Sequence, residues 1–250
     1  MPCKLDRAVL SMTLAASLAA ALGACSGTEG QAQAAAPAAA PSETAMSPQL
    51  IEEGKQIFRF DTFGDERFWT DELRMHEVVQ NVTPETALSV GLKVDADAVP
   101  ADVLANADLK SAATTVALLK LNAVVGLQAK VDANNKITSL GVTCALCHST
   151  VDDSVKPGIG KRMDGWPNRQ LNPGAIIALS NAVPADKKAI YNSWGAGKYD
   201  PRFNIDGKST PLVLPPAYGL RGVKNETYTA DAPISYWNAY VGIGQMGGHG

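Results

Sequence analysis

The chain has 250 residues, and its 22 Lys and Arg against 25 Asp and Glu give a formal net charge of −3 at pH 7. This slightly acidic balance excludes a typical nucleic-acid-binding protein and a polybasic membrane patch, so we expect no nucleic-acid partner. The part that follows a polar N-terminal region, roughly 200 residues, is long enough for one hydrophobic core with embellishments.

The first 24 residues have the pattern of an export signal. Lys4 and Arg7 form a positive region, and residues 8–22 form an apolar segment too short to remain as a membrane span. That segment ends in the sequence LGAC at Cys25, which resembles the lipobox of bacterial lipoproteins. The sequence therefore predicts a lipoprotein signal peptide over residues 1–24 and lipidation of Cys25, with ordinary signal-peptidase cleavage as the alternative.

Residues 25–47 are predicted to be a disordered tether. They consist largely of Ala, Pro, Gln, Gly and Ser, which cannot bury enough apolar surface to order a segment. Bacterial lipoproteins with a serine after the lipidated cysteine, as Ser26 is here, usually go to the outer membrane. The resemblance therefore implies a periplasmic protein that is anchored in a membrane by lipid, with the outer membrane favoured.

Two elements are predicted before the most informative motif. An amphipathic helix begins at Pro48, because Ser47 can cap it and the apolar residues of 50–58 recur at helical spacing. A β-hairpin is predicted over residues 125–142, where apolar residues alternate on both sides of a turn-forming segment at 132–135. The hairpin leads directly into the motif.

Cys144, Cys147 and His148 form a Cys-x-x-Cys-His motif, the spacing that attaches a c-type haem. The two thiols form thioethers with the haem vinyl groups, and the histidine becomes an axial ligand of the iron. A thioredoxin-like dithiol and a zinc site share the Cys pair, but the chain has no second Cys pair and no βαβ pattern around the motif. The motif therefore predicts haem c as the cofactor.

With this motif the chain resembles the c-type cytochromes, which receive their haem after export. The helix that carries Gly54, Ile57 and Phe58 is similar to the first helix of cytochrome c domains, where a small residue lets another helix cross closely. In those domains the haem motif follows soon after that helix. The resemblance therefore implies a haem domain over residues 48–250 with an insertion over residues 60–140.

The segment from Thr210 to Val223 resembles a Thr-Pro…Leu-Arg-Asn-Val stretch of the di-haem cytochrome c peroxidase-like group. Gly222 replaces the asparagine, and residues 228–231 stand where those enzymes have His-Asp-Gly. Members of the group also carry a second Cys-x-x-Cys-His, whereas this sequence contains one. The sequence therefore fits a mono-haem protein or a truncated part of a di-haem protein.

His249 and Met246 are the candidates for the sixth iron ligand, opposite His148. His249 is flanked by glycines, which permit close approach to a flat ring, and Met246 lies in the same segment. His76, on a predicted helix, is a further candidate, and an open position is the remaining alternative.

The segment after the haem motif is predicted to form irregular loops, because it is rich in Gly and Pro. Arg162 or Arg169 in these loops could pair with haem propionates, with a solvated arginine as the alternative.

The sequence favours a periplasmic cytochrome that passes single electrons between redox partner proteins, since this work needs no acid, base or nucleophile. The alternative is a peroxidase-like or oxygenase-like haem oxidoreductase with an open iron site. Glu66, Glu72 and His76 are its candidate distal groups, although no catalytic residue is assigned. The expected fold class is mainly α: a cytochrome c-like haem domain with long loops and one β-hairpin before the haem motif.

Overall fold

The computed structural model describes residues 47–200, 208–226 and 229–249. The predicted signal peptide, Cys25 and the tether up to Met46 lie outside the described residues. In chain order the elements are α1 (Pro48–Phe60), a π-helical turn (Arg67–Glu72), α2 (Met75–Val79), α3 (Pro84–Ser89), β1 (Val94–Asp95), a 3₁₀ turn (Ala96–Ala98), α4 (Ala101–Asn106), α5 (Ala112–Lys120), β2 (Leu127–Val131), β3 (Ile137–Val142), α6 (Ala145–His148), β4 (Ser149–Val151), β5 (Ile159–Gly160), β6 (Arg162–Asp164), α7 (Pro173–Ala178), α8 (Ala185–Asn192), β7 (Lys198–Tyr199), β8 (Leu212–Val213) and α9 (Ile234–Gly244).

The prediction of a mainly α, cytochrome c-like fold is wrong. Helices hold 40% of the described residues and strands 15%, so the fold is mixed α/β. The strands of the described residues form two-stranded sheets, namely β1–β5, β2–β3, β4–β6 and β7–β8. Six of these strands have only two or three residues, which is too short for an alternating pattern to appear in the sequence. They form where neighbouring loops satisfy one another's backbone groups.

Helix α1 begins at Pro48 as the sequence predicts. The Ser47 side chain caps it by accepting a hydrogen bond from the Leu50 N–H at 3.2 Å. Its apolar face is poorly covered, since Leu50 and Ile51 are each about half exposed. A Cβ placed on Gly54 would meet no atom within 4 Å. The close helix crossing implied by the resemblance is therefore not seen at this glycine.

The predicted hairpin lies where the sequence places it. Strands β2 and β3 pair antiparallel, from Leu127 opposite Val142 to Val131 opposite Ile137. A local shift in register at the end of β2 brings one extra residue into the pair. The second strand ends two residues before Cys144, so the hairpin gives the motif a hydrogen-bonded approach.

A single main core cluster packs the hairpin against the short helices. Its most deeply buried large side chains include Met75, Leu119, Ile137 and Leu171. Burial of an aliphatic side chain of this size stabilises the fold by about 1.5–3 kcal/mol.

A second, small cluster joins α1, α6, β4 and the turn before β2 around the motif. Val125, Ala145 and Val151 are buried together, and Phe58 of α1 packs against them. This cluster fixes the helical turn α6 between the hairpin and α1. In the described ranges, no helix is both long and apolar enough to span a membrane.

Candidate functional site

The motif forms one helical turn at the end of the hairpin. Cys144 precedes α6, and the His148 N–H donates to the Cys144 carbonyl at 3.1 Å, which closes the turn. Gly126 lies directly against this turn with φ of +81°, and a Cβ there would fall 2.2 Å from the Leu146 backbone. Only glycine fits this position, since any side chain would push the hairpin away from the motif.

The two thiols are neutral and are not joined in a disulfide. Burial raises the pKa of Cys147 to about 12. Burial also raises the pKa of Cys144, and the nearby carboxylates of Asp61 and Asp65 add to this effect. Reactive dithiols and zinc thiolates depend on a lowered thiol pKa. The surroundings of this Cys pair therefore disfavour a reactive dithiol.

The imidazole of His148 has one nitrogen held and one nitrogen available. Its Nδ1 lies 2.9 Å from the carbonyl oxygen of Pro215, which can only accept, so Nδ1–H donates and Nε2 keeps its lone pair. Burial lowers the pKa of His148, which favours the neutral ring. A neutral imidazole oriented by a backbone carbonyl is the form in which histidine binds metals.

The end of the motif turn is held by the loop that follows β6. The Gly165 N–H donates to the His148 carbonyl at 2.8 Å, and the Asn168 N–H donates to the Cys147 carbonyl at 2.9 Å. The Asn168 side chain is buried and donates to the Gly91 carbonyl at 2.9 Å. These bonds satisfy carbonyls that a one-turn helix leaves free, and they tie the motif to a distant loop.

Asp164 lies at the centre of a charged cluster beside the motif. Arg59 of α1 donates to it at 2.6 Å, and Ser149, directly after His148, donates at 2.8 Å. Arg162 Nε lies 3.0 Å from the same carboxylate, and its side chain is 3% exposed. Arg162, one of the two propionate candidates, is therefore paired with a carboxylate, whereas Arg169 is exposed.

The candidate sixth ligands lie in a segment that reaches the motif through Tyr199. The Tyr199 hydroxyl donates to the Gln245 carbonyl at 3.3 Å. Burial raises the pKa of Tyr199, and the nearby Cys147 sulfur adds to the rise. Met246, the residue after Gln245, is half-buried against the main core, whereas His249 is exposed at a backbone hydrogen bond to Phe63.

The candidate distal groups are not brought to the motif. Glu66 accepts a hydrogen bond from the Thr62 hydroxyl, Glu72 is exposed near Arg67, and His76 lies 4.0 Å from Glu77. Within the described residues, no hydrogen bond joins any of the three to the motif, and no group of three or more His, Cys, Asp or Glu side chains could hold a metal ion.

Sequence reasoning missed the buried acid Asp65. Its carboxylate accepts hydrogen bonds from the Val142 N–H and the Trp69 indole, both at 3.0 Å, and the residue is 1% exposed. Burial raises its pKa to about 8 despite these bonds, and the neighbouring Glu66 adds to the rise. The segment around Asp65 is dense in acids and aromatics, and nothing in its pattern shows which acid is buried.

Pro215 and Asn168 were also missed as partners of the motif. The Pro215 carbonyl is a backbone group 67 residues from His148, and Asn168 lies in a segment expected to be an irregular loop.

Comparison of the chain with protein-family models, with curated proteins and with solved structures gave no match.

Proposed function

We propose that the protein binds one haem c through Cys144, Cys147 and His148 and transfers single electrons. The observation that carries this proposal is the hydrogen bond from His148 Nδ1 to the Pro215 carbonyl, next to two neutral thiols on the same turn. This hydrogen bond leaves Nε2 of a neutral imidazole available as a metal ligand, and the two thiols remain available for thioether formation. A bound haem would supply reversible one-electron chemistry at its iron.

Apolar side chains are exposed on two elements that follow the motif in the chain. Leu212 and Val213 of β8 are 67% and 52% exposed, immediately before the segment that holds His148. Helix α9 is rich in Ile, Tyr, Trp and Val but has no buried residue among those described. Apolar surface of this extent normally has a partner, and a cofactor that packs on it would remove it from water.

In this proposal the chain's own residues set the properties of the cofactor. The Pro215 carbonyl orients His148 and raises its strength as a ligand. The Asp164 cluster fixes Ser149, the residue after His148, and the bonds from Gly165 and Asn168 would hold in place the turn that carries the haem-binding residues. These are the requirements of an electron carrier, in which a rigid site changes little between two oxidation states.

We also propose that the protein is exported and anchored by lipid at Cys25, so that the haem domain works in the periplasm on a tether. The support is the sequence alone: the charged and apolar segments of residues 1–22, and the small residues before Cys25. Its expected partners are other redox proteins of that compartment.

The visible spectrum of the matured protein tests the function. The full chain is produced in a bacterium that attaches c-type haem, purified, and converted to its pyridine haemochrome. We expect a c-type haemochrome with one haem per chain, a mass increase of one haem after denaturation, and reversible reduction without peroxide turnover. A folded protein without haem would contradict the proposal, and rapid peroxide turnover would favour the oxidoreductase instead.

Replacement of Met246 by alanine is expected to convert a low-spin ferric haem into a high-spin one. Met246 is half-buried and follows Gln245, whose carbonyl accepts a hydrogen bond from Tyr199, whereas His249 is exposed. The measurement is the absorption and electron paramagnetic resonance spectrum of the ferric protein. His249→Ala is the matched variant and is expected to leave the spectrum low-spin. The opposite pair of results would place the ligand at His249.

A further inference from the structure

Two loops meet at the backbone of His148. The Gly165 N–H donates to the His148 carbonyl at 2.8 Å, and the Ala217 N–H donates to the Gly165 carbonyl, also at 2.8 Å. The second loop contains Pro215, whose carbonyl holds the His148 ring. The segments 161–169 and 215–224 therefore meet beside the proposed iron ligand, and we call their exposed residues the proximal surface.

An aromatic pair stands at the centre of the proximal surface. Trp166 follows Gly165, and Tyr218 lies three residues after Pro215. Their rings are 5.1 Å apart between centroids, and each residue is 50% exposed. Exposed aromatic residues of this size are enriched at the centres of protein–protein interfaces, because they bury much area at a small cost in conformational entropy.

The exposed charged residues within these two segments all have the same sign, and one exposed acid outside them, Asp152, accepts a hydrogen bond from the Lys161 N–H at 2.8 Å. The exposed charged residues of the proximal surface are Lys161, Arg169, Arg221 and Lys224. Asp164 is the one acid in these two segments, and it is paired with arginines. The whole chain, in contrast, has a net charge of −3. The exposed charge of these two segments is therefore opposite in sign to the net charge of the chain.

We propose that the proximal surface docks the acidic face of a redox partner protein, with Trp166 and Tyr218 at the centre of the contact. This inference rests on the proposed function, because it assigns the partner's position relative to the haem ligand. Complementary charge steers a partner into a productive orientation, and the aromatic pair excludes water at the centre. With haem bound, one electron would pass from the reduced partner, which is thereby oxidised, to the cofactor, which is reduced, and no bond would form or break.

Reduction of the matured protein by reduced flavodoxin, a small acidic redox protein, tests the proposal. The variant Arg169→Glu/Arg221→Glu/Lys224→Glu reverses three exposed charges of the proximal surface. We expect it to lower the second-order rate constant roughly 10–100-fold at low ionic strength, a difference that disappears at high salt.

The matched control reverses three exposed lysines in other segments, Lys110→Glu/Lys130→Glu/Lys136→Glu, with the same change in net charge. It is expected to retain most of the wild-type rate. Trp166→Ala is expected to lower the rate at high as well as low salt, because its contribution is not electrostatic. The haemochrome spectrum of each variant must equal that of the wild type, which confirms an intact haem site.

Three outcomes would overturn the proposal. Equal loss of rate in both triple variants would show an effect of net charge alone. An unchanged rate in the proximal variant would show that the partner docks elsewhere. If the proximal triple variant lost binding to vesicles of phosphatidylglycerol and phosphatidylcholine but kept the wild-type rate with flavodoxin, the surface would be assigned to a membrane. Flavodoxin binding measured by calorimetry needs no electron transfer, so failure of docking and failure of the proposed function can be told apart.

Discussion

Cys144→Ala and Cys147→Ala are each expected to abolish stable attachment of haem and to leave little folded protein. A haem that is held by two thioethers and one axial ligand becomes part of the core, and its binding free energy is then folding free energy. Without it, we expect the exposed apolar residues Leu212 and Val213 of β8 to stay in water. We expect the periplasmic abundance of either variant to fall more than about tenfold, because unfolded chains are removed by proteases.

The measurement combines haem staining after denaturing electrophoresis with immunoblotting of the periplasmic fraction. Cys25→Ser is the control, since it removes a cysteine that the proposal assigns to lipid and not to haem. It is expected to retain haem and normal abundance but to appear in the soluble fraction. Folded, haem-free Cys144→Ala protein at wild-type abundance would refute the structural role of the cofactor.

The elements that the sequence predicted correctly are those whose signals are local. The cap at Ser47 depends on a hydroxyl and a proline that are neighbours in the chain. The hairpin over Leu127–Val142 depends on alternation and on a turn between its strands. Both signals lie within a few residues of the structure they specify, so one sequence is enough to find them.

The fold class could not be predicted in this way. Strand β1 pairs in parallel with β5, and Val94 lies opposite Ile159, far away in the chain. A two-residue strand has no periodicity, and its existence depends on which loops the core brings together. The Pro215 carbonyl that binds His148 could not be predicted either, because every residue has a backbone carbonyl and the residue type does not show which one accepts the bond. The motif residues were identifiable, whereas the groups that orient them were not.

The stability of the protein is expected to fall as the pH rises toward 8, because of Asp65. Its folded-state pKa is about 8, against an ordinary value of 3.8. Between these values the folded chain holds a proton that the unfolded chain has released, so the free energy of unfolding decreases with pH and is flat outside the window. The slope inside it is about 1.4 kcal/mol per pH unit, and the full window corresponds to on the order of 5 kcal/mol.

Asp65→Asn is expected to abolish this dependence. Asparagine has the same shape without a titrating group, but it places an amide donor near the Val142 N–H or the Trp69 indole, which costs about 1 kcal/mol. The variant should therefore be slightly less stable than the wild type near about pH 5 and more stable at about pH 8, where the wild type begins to bury a charge.

Urea unfolding of the wild type and of Asp65→Asn at several pH values between about 5 and 8 gives the free energy of unfolding of each protein as a function of pH. If the change of this free energy with urea concentration is the same in both proteins, the substitution has not altered the unfolded state. Asp108→Asn is the matched control, because Asp108 is exposed and also accepts a backbone hydrogen bond, at 2.9 Å from the Lys110 N–H. Its curve should run parallel to that of the wild type. Parallel curves for Asp65→Asn as well would show that this carboxyl is ionised in the folded protein. A crossing confined to Asp65→Asn would place a neutral buried acid near Cys144, because Asp65 is one of the groups that raise the pKa of that thiol.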